Sequence, residues 1–216
     1  HYWGGHGIVG GQVPLGTGIA FALKYREQKG CCLTFMSDGA VNQGAVHEAF
    51  NLASLFSLPV VFIIENNQYS MGTSQERSSA FKGHLAARAE AYNMEWDVVN
   101  GNVVYDVRHK TYQAMQRAHN ESRPTILEIY TYRYRGHSVA DANHEKYRDK
   151  KEIEDYKKNK DPISRFRRDM IEEGHLTEEQ AKEMDKAARK EADDAANYAD
   201  KSPYPDPSSI LEDVYW

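Results

Sequence analysis

Three apolar runs punctuate the first two thirds of the chain, and between them lie segments long enough for a helix. They are Cys31-Cys32-Leu33-Thr34-Phe35-Met36, Val60-Val61-Phe62-Ile63-Ile64 and Thr125-Ile126-Leu127-Glu128-Ile129-Tyr130-Thr131. Runs this short that are apolar throughout read as strands buried on both faces rather than on one. Helical patterns fill the intervals: Gln12 to Glu27, Val41 to Ser57 with Val46, Ala49, Phe50 and Ala53 at helical spacing, Phe81 to Tyr92, and Tyr105 to Asn120. A shorter strand is expected at Trp96 to Val99, and Leu58-Pro59 ends the helix before the second apolar run. Strand and helix in alternation define a doubly wound α/β domain with a parallel sheet. Ligands of such sheets bind beyond the carboxyl ends of the strands, so the loops after Met36, Ile64 and Tyr134 are where chemistry is expected.

Composition changes along the chain. Residues 144–201 carry 15 basic and 17 acidic residues among 58 positions, a density that reads as solvated helical faces at three and four spacing. One helix is expected after Asp161-Pro162 and another after Thr177-Glu178-Glu179, each with a cap residue in front. Pro203-Tyr204-Pro205-Asp206-Pro207 reads as extended. The domains expected are therefore an α/β domain over 1–150 and a charged, helical C-terminal extension over 151–216.

The 216 residues hold 27 basic against 32 acidic side chains, a net charge of −5, which argues against a nucleic-acid surface. No apolar run approaches the roughly 20 residues of a membrane span. Cys31 and Cys32, adjacent in an apolar run, do not make a disulfide framework and suit a reducing, intracellular compartment. The chain opens on His1-Tyr2-Trp3-Gly4-Gly5, without Met, and is expected to be the C-terminal part of a longer polypeptide.

Two loops carry recognisable chemistry. Ser37-Asp38-Gly39-Ala40-Val41-Asn42-Gln43-Gly44 places a carboxylate at a strand end and a helix N-terminus just beyond it. The carboxylate suits a hard cation, and the backbone N–H groups suit phosphate oxygens. Glu65-Asn66-Asn67-Gln68-Tyr69 follows the next apolar run. Singly, each is a common turn. Together, Asp-Gly, 26 intervening residues and Asn-Asn form a spaced pair: the interval holds one helix and one strand and returns the chain to the same edge of the sheet, so that Asp38 and Asn67 can converge on one ion. A dinucleotide site is disfavoured, because Gly7, Gly10 and Gly11 precede the first strand instead of following it.

With the segments Gly5 to Gly16, Asp38 to Gly44, Glu65 to Ser74 and Thr131 to Ser138 in order, the chain resembles the alpha chains of the thiamine diphosphate-dependent 2-oxo acid dehydrogenases. Within that family it looks most like the pyruvate dehydrogenase decarboxylase component. The resemblance covers about residues 1–150 strongly and the remainder more weakly. It implies that Asp38, the Asn67 side-chain oxygen and the Tyr69 carbonyl ligate Mg²⁺, and that Gly39 and Ala40 offer backbone contacts to the diphosphate. It further implies that Gly7 and Val9 meet the aminopyrimidine ring through their backbones and that His137 stands catalytically near the diphosphate. Gln43 would lie toward the substrate.

The implied activity is decarboxylation of pyruvate and reductive acetylation of the lipoyl group of an acyltransferase component. The implied assembly is an α₂β₂ heterotetramer in which the beta subunit supplies the glutamate that activates the pyrimidine. An acetoin dehydrogenase alpha subunit is the nearest alternative, and a non-catalytic interaction subunit of the same fold is the alternative from another class. Tyr134 to Tyr147 is expected to be a mobile loop around Gly136, and Ser138 matches a serine that mitochondrial relatives phosphorylate. Glu145-Lys146-Tyr147 replaces a second such site. Ser37 departs from the family's glycine, and altered packing without loss of binding is the expected result. Upstream cofactor contacts of the family would precede residue 1.

Overall fold

The computed structural model describes residues 2–141 and 147–212, and the expected loop at 134–147 therefore lies partly outside the described residues. The first elements are α1 (Gln12–Tyr25), β1 (Cys32–Ser37), α2 (Gly44–Leu55) and β2 (Val60–Asn66). A small hairpin, β3 (Tyr69–Ser70) and β4 (Thr73–Ser74), leads into one helical turn, α3 (Gln75–Ser78). Then come β5 (Glu95–Asn100), α4 (Val104–Glu121) and β6 (Thr125–Tyr130). The charged region supplies α5 (Lys150–Asp155), α6 (Pro162–Glu172) and α7 (Glu178–Lys201). The chain divides into two compact units, one through Phe166 and one from Arg167 onward.

The main sheet has the order β1-β2-β6-β5 and every pairing in it is parallel. Both faces are covered, as the continuous apolar runs required. On one face α1, α2 and the segment Leu85–Tyr92 pack Val13, Ala20, Val46, Phe50, Leu85 and Ala89 against Met36, Phe62, Ile64 and Ile126. On the other, α4 sets Ala114 and Ala118 against Val61, Ile63 and Leu127. The contact between α1 and β1 is close. A β-carbon on Gly16 would sit 2.0 Å from the Thr34 hydroxyl, so only glycine lets the helix lie this near the strand. β1 is an edge strand, and Phe35, on the face where α4 reaches β2, β5 and β6, remains half exposed.

Three details differ from the pattern read in the sequence. The helix expected over Val41 to Ser57 is broken at Gln43, whose backbone is extended, into a 3₁₀ turn (Ala40–Asn42) and α2. The helix expected from Phe81 begins only at Leu85 and winds as 3₁₀ to Tyr92. Its first turn is docked on the buried Glu128 carboxylate, which accepts the Ala86 N–H at 3.0 Å. The hairpin β3–β4 and the short α5 were not anticipated from the periodicity, being only a few residues each. The caps on the charged helices did form. Asp161 accepts the Ser164 N–H at 2.8 Å, and Thr177 and Gln180 make a reciprocal capping box at the start of α7.

Candidate functional site

The parallel sheet brings the carboxyl ends of β1 and β2 side by side, with Ser37 paired to Glu65. Chain continuing from these two ends places Asp38 and Asn67 against each other. Asp38 is 3% exposed, and neither of its carboxylate oxygens has a hydrogen-bond partner. Burial pushes its pKa up; the Asn67 backbone, the charge of Arg133 and the nearby Ser70 hydroxyl oppose that shift without cancelling it. A buried carboxylate with no donor is costly unless a cation or proton completes it. The unpartnered oxygens leave this carboxylate open to a cation or a proton.

The donor set also constrains which cation fits. Among the described residues no three His, Cys, Asp or Glu side chains cluster as a metal site. A soft or borderline ion such as zinc would find too few ligands here. One carboxylate with amide and backbone oxygens beside it fits the hard oxygen donors that Mg²⁺ takes from proteins.

The Asn67–Tyr69 loop is held rigidly. Asn67 Oδ1 accepts the Tyr69 N–H at 3.2 Å, and Gln68 sits in the left-handed region with φ of 70°. That conformation is unusual for a residue with a side chain and persists only where its surroundings enforce it. Asn66, fully buried beneath, accepts the Gln68 N–H at 2.9 Å and donates to Gln75 at 2.8 Å and to Glu128 at 2.6 Å. Two arginines close the loop from outside. Arg133 donates to the Tyr69 carbonyl at 3.4 Å and the Met71 carbonyl at 2.7 Å. Arg148, 4% exposed, donates to the Asn67 carbonyl at 2.7 Å, with its guanidinium 4.5 Å from the Tyr69 ring centre and 4.3 Å from that of Tyr132. The Tyr69 hydroxyl donates to the Tyr147 carbonyl at 2.9 Å.

Across the gap, Gly39 opens the 3₁₀ turn Ala40–Asn42. The Ser37 hydroxyl accepts the Ala40 N–H at 3.2 Å. Ser37 thus does more than alter packing, since it engages one of the two N–H groups expected to face phosphate.

Asp38, Gly39, Asn67 and Ser70 come together at one point, with Tyr69 next to them. Gly7, Val9 and His137 are not packed into it. Val9 is 59% exposed, a side chain at Gly7 would meet nothing within 4 Å, and His137 is exposed with its N–H donated to Asp141 at 2.9 Å. Gln43 is also exposed and lies against Gly10. Sequence reading missed Ser70, Glu128, Arg133 and Arg148. Arg133 and Ser70 stand inside motifs that were legible, but nothing in spacing alone ties Arg148 to Asn67 across 81 residues.

The sheet topology and the strand-end carboxylate define a class, and comparison with known proteins agrees with it. The chain belongs to the dehydrogenase E1 component family, whose family model matches residues 1–208. It is 44% identical over 214 residues to the pyruvate dehydrogenase E1 component subunit alpha of Rickettsia bellii, covering 99% of this chain and 64% of that protein. The corresponding subunit of Rhizobium meliloti is 42% identical over 214 residues, covering 99% of this chain and 61% of that protein. That of Zymomonas mobilis is 41% identical over 213 residues, with coverage of 99% and 59%. The chain thus spans about three fifths of the length of these relatives. No helix among the described residues is long and apolar enough to cross a membrane.

Proposed function

We propose that this chain forms the Mg²⁺ and diphosphate half of a thiamine diphosphate site in the alpha subunit of a pyruvate dehydrogenase of the acetyl-transferring type. The observation that carries the reading is the Asp38 carboxylate, buried and unpartnered at the end of β1 and facing the rigid Asn67–Tyr69 loop. Asp38, the Asn67 side-chain oxygen and the Tyr69 carbonyl would hold the cation. Gly39 and Ala40 would present backbone N–H groups to the diphosphate. Thiamine diphosphate, when bound, supplies the electron sink that allows a 2-oxo acid to lose carbon dioxide.

This chain's own contribution is placement and electrostatics. Asp38 offsets the cation's charge in a dry setting, and the preformed loop spares the reorganisation that a flexible ligand set would require. Gly7 and Val9 would lie along the pyrimidine ring, and His137 would donate to a phosphate oxygen. The beta subunit completes the site, and a lipoyl-bearing acyltransferase accepts the acetyl unit. The pair of adjacent free cysteines, Cys31 and Cys32, suits a reducing compartment.

The test uses the alpha chain co-expressed with its beta partner and supplied with thiamine diphosphate and Mg²⁺. Pyruvate decarboxylation, 2-oxoisovalerate decarboxylation and acetoin cleavage are assayed side by side with Asp38→Ala as control. A pyruvate preference abolished by Asp38→Ala is the expected result. An acetoin preference would keep the site and change the substrate. Activity indifferent to Asp38→Ala would overturn the cofactor assignment.

A further inference from the structure

Gly39 and the 3₁₀ turn Ala40–Asn42 carry the backbone N–H groups assigned above to the diphosphate, and that turn stays separate from α2. In a continuous helix the Val41 carbonyl would accept the N–H four residues on. Gln43, with φ of −74° and ψ of 139°, interrupts that path. Within the turn the Gly39 carbonyl accepts the Asn42 N–H at 3.3 Å, and the Ala40 carbonyl accepts the Gln43 N–H at 3.0 Å. Val41 is fully buried, and its carbonyl is taken by a side chain 47 residues away.

That side chain is Arg88. One terminal nitrogen donates to the Val41 carbonyl at 2.9 Å; the other donates to Asn42 Oδ1 at 2.8 Å and to Ser79 Oγ at 3.0 Å. A guanidinium presents its donors as a rigid planar fork, so it holds two acceptors of one turn at once where a lysine ammonium offers a point charge. Arg88 is itself well anchored. It lies in the 3₁₀ segment Leu85–Tyr92, in which Leu85, Ala86 and Ala89 are fully buried and the Ala86 N–H is bound to Glu128. Ser79, 4% exposed, donates its hydroxyl to the Phe81 carbonyl at 2.9 Å. Glu128 in turn accepts from Asn66, the neighbour of Asn67. One short segment thus braces both strand-end loops, that of β2 through Glu128 and that of β1 through Arg88.

We propose that Arg88 is a positioning residue for the diphosphate: it takes the Val41 carbonyl left open by the break at Gln43 and so fixes the turn whose Gly39 and Ala40 N–H groups would face the phosphate oxygens. The proposal rests on the cofactor reading above and deepens it to what shapes the phosphate half of the site. Arg88 acts through the turn and not by contact with the cofactor.

The experiment compares the wild-type assembly of this subunit and its beta partner with Arg88→Met, Asn42→Ala and Ser79→Ala. Arg88→Met keeps an apolar stem and loses every bond to the turn. Asn42→Ala, at an exposed position, loses one of the two. Ser79→Ala loses only the bond outside the turn, together with its own bond to Phe81. Calorimetry measures thiamine diphosphate uptake at saturating MgCl₂, hydrogen exchange without cofactor reads the amides of residues 40–44, and thermal melting reads stability. Arg88→Met is expected to weaken cofactor binding about 10-fold or more and to speed exchange in the turn. Asn42→Ala should do both to a smaller degree. Ser79→Ala should lower the melting temperature while affinity and exchange in the turn stay at wild-type values.

Affinity that falls in step with melting temperature across all three variants, Ser79→Ala included, would overturn the proposal, since a purely structural arginine behaves that way. So would wild-type affinity in Arg88→Met, or in Asn42→Ala should Arg88→Met fail to assemble. If the wild-type assembly takes up no thiamine diphosphate, the cofactor reading itself fails and takes this inference with it. If wild type binds and the Arg88 and Asn42 variants bind equally well, only the inference fails.

Discussion

Replacing Asp38 by asparagine should raise the melting temperature in the absence of cofactor and lower it in its presence. Without a cation, the wild-type carboxylate is 3% exposed with both oxygens unpartnered. Leaving a buried polar group unsatisfied costs about 1–3 kcal/mol, and more when it is charged. Asparagine keeps the shape and removes the charge, so the variant should recover an amount of that order. For a chain of this length each kcal/mol moves the melting temperature by roughly 2–4 °C, and a rise of several degrees is expected. With Mg²⁺ and thiamine diphosphate at a hundred times their dissociation constant, wild type gains about 2.7 kcal/mol from binding alone. The variant, lacking the cation's charged ligand, should gain almost none. The two proteins therefore exchange order between a melt without ligand and one with it, which differential scanning fluorimetry reads directly. A variant that melts lower in both conditions, or that shifts as much as wild type when ligand is added, would refute the assignment of Asp38 as a strained, cation-completed group.

Two further outcomes follow from the same geometry. Ser37→Gly removes the hydroxyl that accepts the Ala40 N–H at 3.2 Å and frees that donor for phosphate; a hydrogen bond worth about 0.5–1.5 kcal/mol net corresponds to a roughly 2–10-fold gain in thiamine diphosphate affinity, measured by calorimetry. The pKa of His47 is lowered, first by burial and then by the charge of Arg88, below its ordinary value of 6.5, and its ring hydrogen-bonds Tyr92 at 2.7 Å. Its contribution to stability is therefore complete above pH 6.5 and lost as pH falls through the lowered value. His47→Gln should flatten the fall in melting temperature below pH 6.5 relative to wild type, and an unchanged slope would count against that role.

The layers of the fold were legible because burial on two faces leaves a strong mark on short segments. Val60–Ile64 is buried at every position, and no amphipathic strand reads that way. The cap signals at Asp161 and Thr177 were legible for a similar reason, since a cap is a local hydrogen bond between neighbours. What the sequence concealed is long-range. Glu128 lies in an apolar run and looks like an interruption of it; only the fold shows that its carboxylate joins Asn66, 62 residues away, to the Ala86 N–H. Arg148 comes from a charge-rich stretch in which most basic residues face solvent, and nothing local marks it as the one lodged between the Tyr69 and Tyr132 rings. Periodicity also overran where a single residue changed the backbone, as Gln43 does by breaking the helix that its neighbours favour.

These hidden contacts explain what holds the cation half of the proposed site in place. Asp38 and Asn67 are fixed by parallel register, by the Glu128–Asn66 bond below and by Arg133 and Arg148 outside, so their positions are set before any ligand arrives. Residues 2–9 have no such support, with Ile8 71% exposed and Val9 59% exposed. Cation affinity in the proposed site should therefore follow this chain's own packing around Asp38 and Asn67.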